Sequence, residues 1–174
     1  MELRTLGGSG ITTSALGLGC WAIGGPFTMD GHQDGWGQVD DAESIRAIRR
    51  AVELGVTLFD TADAYGIGHS EEVLGKALKP LRHEVVIATK GGFTYDREQR
   101  ALTGQDWSPA YIRRALEASL KRLGTDYVDL YQLHTGFIPD EAVEPVFDEM
   151  ERLKAEGKLR AYGWSTYTRE NVVM

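Results

Sequence analysis

Five short apolar runs, at residues 15–19, 56–59, 85–88, 127–133 and 161–164, alternate with stretches whose apolar residues recur at helical spacing. The helical sets are Ile45, Ile48 and Val52, then Val73, Leu74 and Ala77, then Ile112, Leu116 and Leu123, then Val146, Phe147, Met150 and Leu153. Start and stop signals agree with them. Asp40 followed by Glu43 reads as a capping box, Ser70 and Ser108 read as N-caps, and Pro109 suits a first helical turn. Gly55, Gly124 and Gly157 fall where helices should end. Such alternation predicts βαβ units and a parallel sheet. Ahead of it, residues 3–6 and 11–14 flank Gly-Gly-Ser-Gly and predict a hairpin. Residues 24–39, with five glycines, and residues 91–107 read as long loops after strands, and so on the C-terminal face of the sheet.

The strand starts lie roughly 36 residues apart, a βαβ repeat. Eight such units need about 300 residues, within the span of (β/α)₈ barrels. The 174 residues are therefore expected to form one partial (β/α)₈ TIM-barrel-type domain, 1–174, with an N-terminal hairpin and about five of the eight units. The fifth strand is followed by a helix start at Thr168, Arg169 and Glu170, just before Met174. Two sheet edges would then stay open, and inward side chains such as Leu58 and Leu130 would meet water. The expected remedy is a homo-oligomer or a C-terminal segment beyond Met174.

Composition narrows the setting. With 42% hydrophobic and 26% charged residues, the chain has the makings of a globular core. Its net charge of −7 offers no cationic surface for nucleic acid or an anionic membrane. No run approaches a membrane span. The lone Cys20 and a start without a basic-then-apolar leader point to the cytoplasm.

Side chains on a strand alternate between faces. Counting back from Asp60 puts Leu58 and Val56 on its face. Lys90 shares a face with Ala88 and Val86, and His134 shares one with Gln132, Leu130 and Val128. Three consecutive strands thus end in an ionisable residue above mostly apolar neighbours, at the barrel end where catalytic residues sit. Tyr65, five residues after Asp60, can lean over the same point. A free phenol, with an unperturbed pKa of about 10, parts with its proton reluctantly. An ammonium at Lys90 would stabilise the phenolate left behind, with Asp60 as its ion-pair partner. His134 could orient a substrate carbonyl. The set suits addition to a carbonyl with Tyr65 as general acid. Singly, each residue is more often structural; their coincidence at successive strand ends is what favours chemistry.

Asp60-Thr61-Ala62-Asp63-Ala64-Tyr65-Gly66, followed by Ser70-Glu71 and Leu74-Gly75, resembles the aldo-keto reductase signature. So do Leu16-Gly17-Leu18-Gly19-Cys20-Trp21, Ile87-Ala88-Thr89-Lys90 and Asp129-Leu130-Tyr131-Gln132-Leu133-His134, in family order and over nearly the whole chain. The resemblance implies a catalytic tetrad of Asp60, Tyr65, Lys90 and His134. It also implies NADPH-dependent reduction of a small aldehyde or ketone. By the same carry-over Gly19, Cys20 and Trp21 would line the nicotinamide pocket, with Asp60 beside it. Ser165-Thr166 stands where the family usually has Ser-Asn, and a threonine lacks the amide's paired donor and acceptor. The family's grip on pyrophosphate and the 2′-phosphate comes from the last three units, so NADH stays open beside NADPH.

The glycine pairs match no phosphate-binding loop. His32, His69 and His83 lack metal-ligand spacing, and no metal is expected. Gly17 and Gly19 either leave room for cofactor or relieve crowding, and Trp36 and Phe27 either cover substrate or pack their loop. Two rival functions remain: a catalytically silent fragment or nucleotide-sensing regulatory subunit, and a different barrel enzyme such as an isomerase.

Overall fold

A computed structural model describes residues 1–166, so the helix start expected at Thr168 lies outside the described residues. In chain order the elements are β1 (Leu3–Thr5), β2 (Thr12–Ser14), β3 (Gly17–Gly19), β4 (Phe27–Met29), β5 (His32–Asp34) and α1 (Asp41–Glu53). There follow β6 (Leu58–Asp60), α2 (His69–Leu78), β7 (Val86–Gly91), β8 (Phe93–Asp96) and β9 (Ala101–Gln105). The last are α3 (Pro109–Leu123), β10 (Val128–His134), α4 (Asp140–Ala155) and β11 (Leu159–Ser165).

The five apolar runs all become strands of one parallel sheet, ordered β3-β6-β7-β10-β11. This is an incomplete (β/α)₈ barrel, each crossover after β3 carrying one of the four α-helices. Helix ends follow local chemistry. Asp40 accepts from the amides of Ala42 and Glu43 at 2.8 and 3.1 Å, and Ser108 accepts from Tyr111 N at 3.3 Å. Gly124 closes α3 at φ +66°, a left-handed turn suited to glycine. Ser70 is not the cap of α2. Gly68 holds that place, and the Ser70 hydroxyl, inside the first turn, bonds the Cys20 carbonyl at 2.7 Å and Thr61 Oγ1 at 2.9 Å.

Two cores sandwich the sheet. On its helix side Phe59, Ile87, Tyr131 and Leu133 pack among Ile48, Leu74, Ile112, Leu116, Val146 and Met150. Each such fully buried aliphatic side chain contributes about 1.5–3 kcal/mol. On the inner side Val86, Leu58, Leu130 and Ala161 meet Leu6 and Ile11. The β1–β2 hairpin therefore plugs the barrel floor, and Leu58 and Leu130, expected to face water, are partly covered. Strand parity fails at two entry points, because Val56 and Val128 pack into the helix-side core instead. Val56 precedes β6, where period-two alternation does not yet apply.

The two segments expected as loops are better ordered than their glycines suggest. β4 pairs with β5 and β8 with β9 as antiparallel hairpins, joined by a parallel contact at Thr28 and Ala101 into a second sheet. Strands of three to five residues rich in polar side chains carry too little alternation to be read locally. Arg100 ties this sheet down, donating to the carbonyls of Pro26 at 2.9 Å and of Gly24 and Gly66 at 3.3 Å. Gly24 and Gly66 meet backbone to backbone, and a Cβ on Gly24 would stand 2.7 Å from the Tyr65 carbonyl carbon. Among the described residues no helix is long and apolar enough to cross a membrane.

Candidate active site

The ends of β6, β7 and β10 converge beneath the hairpin sheet. Lys90, at the end of β7 and nearly buried, donates from Nζ to Asp60 Oδ1 at 2.5 Å, to the Thr61 carbonyl at 2.9 Å and to Tyr65 Oη at 3.2 Å. The turn after β6 is wrapped around this amine, since Asp63 N also donates to the Lys90 carbonyl at 3.2 Å. Asp60 keeps 39% of its side chain exposed, so the ion pair reaches the mouth from one side only.

His134 ends β10 with its ring edge-on to Tyr65, centroids 5.7 Å apart, and to Phe93 at 5.2 Å. Burial, and then the Lys90 charge, push its pKa down from 6.5 to about 4. At neutral pH the lowered value favours the uncharged imidazole, so His134 is a neutral hydrogen-bonding group. Its Nδ1 is buried without a protein partner among the described residues.

Trp21 packs tilted against Tyr65 at 6.2 Å and takes the edge of Trp36 at 6.3 Å. The cleft over these groups has a volume of about 290 Å³ and is walled by Trp21, Phe27, Tyr65, Phe93 and Leu102, with His134 and Asp34. Phe27 is buried and helps pack its hairpin as well as lining the cleft, whereas Trp36 is 71% exposed.

The expected cofactor-side residues divide. Gly19 ends β3 at the mouth, and a Cβ there would meet nothing within 4 Å, so that wall is open. Gly17 relieves crowding, because its Cβ would stand 3.1 Å from Leu58. Trp21 is exposed beside Tyr65. Ser165 is paired with His134 in the β10–β11 ladder, and Thr166 follows it, its hydroxyl 3.5 Å from the Gly136 carbonyl. Cys20 stands apart from these. Its side chain has no exposed surface and sits in the helix-side core, with the thiol pushed up to about 12 by burial and then by Asp60. Only its backbone serves the mouth, its N–H donating to the Asp60 carbonyl at 2.8 Å.

Some residues of this region escape sequence reading. Phe93, Leu102 and Asp34 come from the hairpins, whose pairing is non-local. Behind β7, Glu71 and Arg122 form a buried ion pair at 2.6 Å, with Thr89, Tyr95 and Ser119 as further partners. Glu71 stands inside the quoted signature, but nothing local identifies Arg122, 51 residues away, as its partner.

The chain folds as parallel strands of an incomplete (β/α)₈ barrel with ionisable residues gathered at their C-terminal ends, the face at which barrels of this class carry their sites. Residues 15–174 match the Aldo/keto reductase family, and the chain belongs to it. It is 43% identical to the aldo-keto reductase YhdN of Bacillus subtilis, over 99% of this chain and 49% of that protein. It is 37% identical to the NADH-specific methylglyoxal reductase of Escherichia coli, over 94% of this chain and 51% of that one. Among solved structures, the holo form of aldo-keto reductase AKR11C1 from Bacillus halodurans superposes with a TM-score of 0.83 at 38% identity. That match covers 96% of this chain and 51% of the other. An aldo/keto reductase from Klebsiella pneumoniae in complex with NADP and acetate gives 0.73 at 33% identity, covering 94% and 50%. The chain thus spans about half the length of these relatives.

Proposed function

We propose that this protein is an NADPH-dependent carbonyl reductase of the cytoplasm that converts a small aldehyde or ketone to its alcohol. The observation that carries the reading is the ammonium of Lys90, bonded at once to Asp60 and to the phenol of Tyr65 under an apolar cleft. Tyr65 Oη donates its proton to the carbonyl oxygen, and negative charge develops on the phenol 3.2 Å from Lys90 Nζ. Charge stabilised at that distance in a nearly dry site lowers the barrier. Asp60 and the Thr61 carbonyl hold the amine in place. Neutral His134 donates a hydrogen bond and orients the carbonyl, leaving Tyr65 as the acid.

The open wall at Gly19, the exposed face of Trp21 and the ladder position of Ser165 fit a flat nicotinamide at the mouth. Gly19, Trp21, Asp60, Ser165 and Thr166 are the residues that would hold it. When bound, it supplies a hydride for the carbonyl carbon. The named relatives include an NADH-specific enzyme and an NADP complex. NADPH is the cofactor proposed here, and titration against both nucleotides, read by tryptophan fluorescence, tests the choice. In the same preparation, Tyr65→Phe should abolish most carbonyl reduction while cofactor affinity changes little. Full reduction by that variant would remove Tyr65 as the acid, and a protein that binds neither nucleotide would favour the silent or regulatory reading.

A further inference from the structure

The cleft over Tyr65 has an unusual combination of walls. Four aromatic rings line it, those of Trp21, Phe27, Tyr65 and Phe93, and among the described lining residues Asp34 alone carries formal charge at neutral pH. Aromatic faces attract cations through their quadrupole, and a carboxylate beside them adds a counter-charge. Asp34 spends one oxygen, Oδ1, on the Gly35 amide at 2.6 Å, and Oδ2 makes no hydrogen bond among the described residues. The nearby cations are committed elsewhere. Lys90 is bound to Asp60, and Arg100 donates to three backbone carbonyls behind the cleft. A substrate carboxylate would find no free counter-ion in these walls and would face Asp34 instead.

We infer that the cleft selects carbonyl compounds that also carry an ammonium group, with Asp34 as the specificity-determining residue and the aromatic walls as the cation's bed. This deepens the carbonyl-reductase reading and rests on it. The cleft of about 290 Å³, open on one side, suits a small body, an ammonium joined to the carbonyl through a short apolar or aryl spacer. Asp34 lies on β5 of the hairpin sheet, so the selectivity is built by a segment separate from the strands that supply Asp60, Lys90 and His134.

The test uses three para-substituted probes: 4-(trimethylammonio)benzaldehyde, its neutral isostere 4-tert-butylbenzaldehyde, and 4-formylbenzoate. Binding to the protein is followed by calorimetry, and turnover with NADPH is measured separately. The cation should bind at least about tenfold more tightly than the carboxylate, as expected for a charge facing an aromatic bed and a partly buried counter-charge. Asp34→Asn keeps the acceptor for Gly35 but removes the charge, and should shrink the cation-to-neutral ratio to within about threefold. A ratio that survives Asp34→Asn, a carboxylate that binds tightest, or no binding of any probe would overturn the inference. The binding preference without turnover would reject the reductase reading alone. Equal binding and turnover of all three probes would reject the selectivity alone.

Discussion

Lys90 Nζ stands 3.2 Å from Tyr65 Oη, and its two other hydrogen bonds, to Asp60 and the Thr61 carbonyl, leave it no freedom to move off. An ammonium has three donors, and here all three are committed. Lys90→Met keeps the buried stem but removes the charge, and should lower carbonyl reduction by about 10²–10⁴-fold, the usual worth of an aided proton transfer. Nucleotide titration of the same variant should change little. Lys90→Arg should also fail, because a planar guanidinium cannot occupy the position of a point charge with three fixed partners. A steady-state rate within a few fold of wild type in either variant would show that the ammonium has no part in the chemistry.

Much of this arrangement was legible because it depends on period-two alternation within single strands. Leu58 to Asp60, Val86 to Lys90 and Leu130 to His134 each run up one face, and the parallel ladder then brings the strand ends together. What was not legible depends on pairing between distant segments. The link between Thr28 and Ala101 joins two glycine-rich stretches, and no local pattern announces it. The facing of Cys20 was open in the sequence for another reason. It follows the last residue of β3, where period-two alternation no longer fixes the face, and its side chain takes the helix side.

Asp63 is fully buried two residues before Tyr65, and neither of its carboxyl oxygens has a side-chain partner among the described residues. Burial, and then the Glu71 carboxylate, hold its pKa well above 3.8, against the opposing pull of Arg122, the Ala64 N–H and Lys90. The folded chain therefore keeps a proton that the unfolded chain releases. The stability this gives is complete below about pH 4 and declines as pH rises toward the folded value. Asp63→Asn mimics the protonated acid and should remove that decline. At pH 7 its melting temperature should exceed wild type by a few degrees, at roughly 2–4 °C per kcal/mol for a chain of this size, and the two should converge near pH 4. Parallel melting curves from pH 4 to 8 would contradict the assignment.

Glu71 and Arg122 hold α2 to α3 behind the tetrad, with side chains 0% and 7% exposed and 2.6 Å apart. Removing one partner strands a buried charge, so Arg122→Met or Glu71→Gln alone should cost about 3–5 kcal/mol in urea unfolding. The double variant should cost clearly less than the sum, because the desolvation penalty disappears with both charges. Additive losses would mean that the two groups are stabilised by Thr89, Tyr95 and Ser119 independently of each other.

Cys20 offers a direct check on which way β3 and the residue after it face. A thiol raised to about 12 and wholly covered by core side chains is neither ionised nor reachable at pH 8. A chromogenic disulfide reagent should therefore leave the native protein unmodified over the period in which the guanidinium-unfolded chain, with its single cysteine, takes up one equivalent. Saturating NADPH should not alter the native result, since the side chain lies behind the sheet and away from the proposed nucleotide wall. Rapid native labelling that NADPH suppresses would instead turn Cys20 toward the mouth, and the facing of the segment from Gly19 to Trp21 would have to be reassigned.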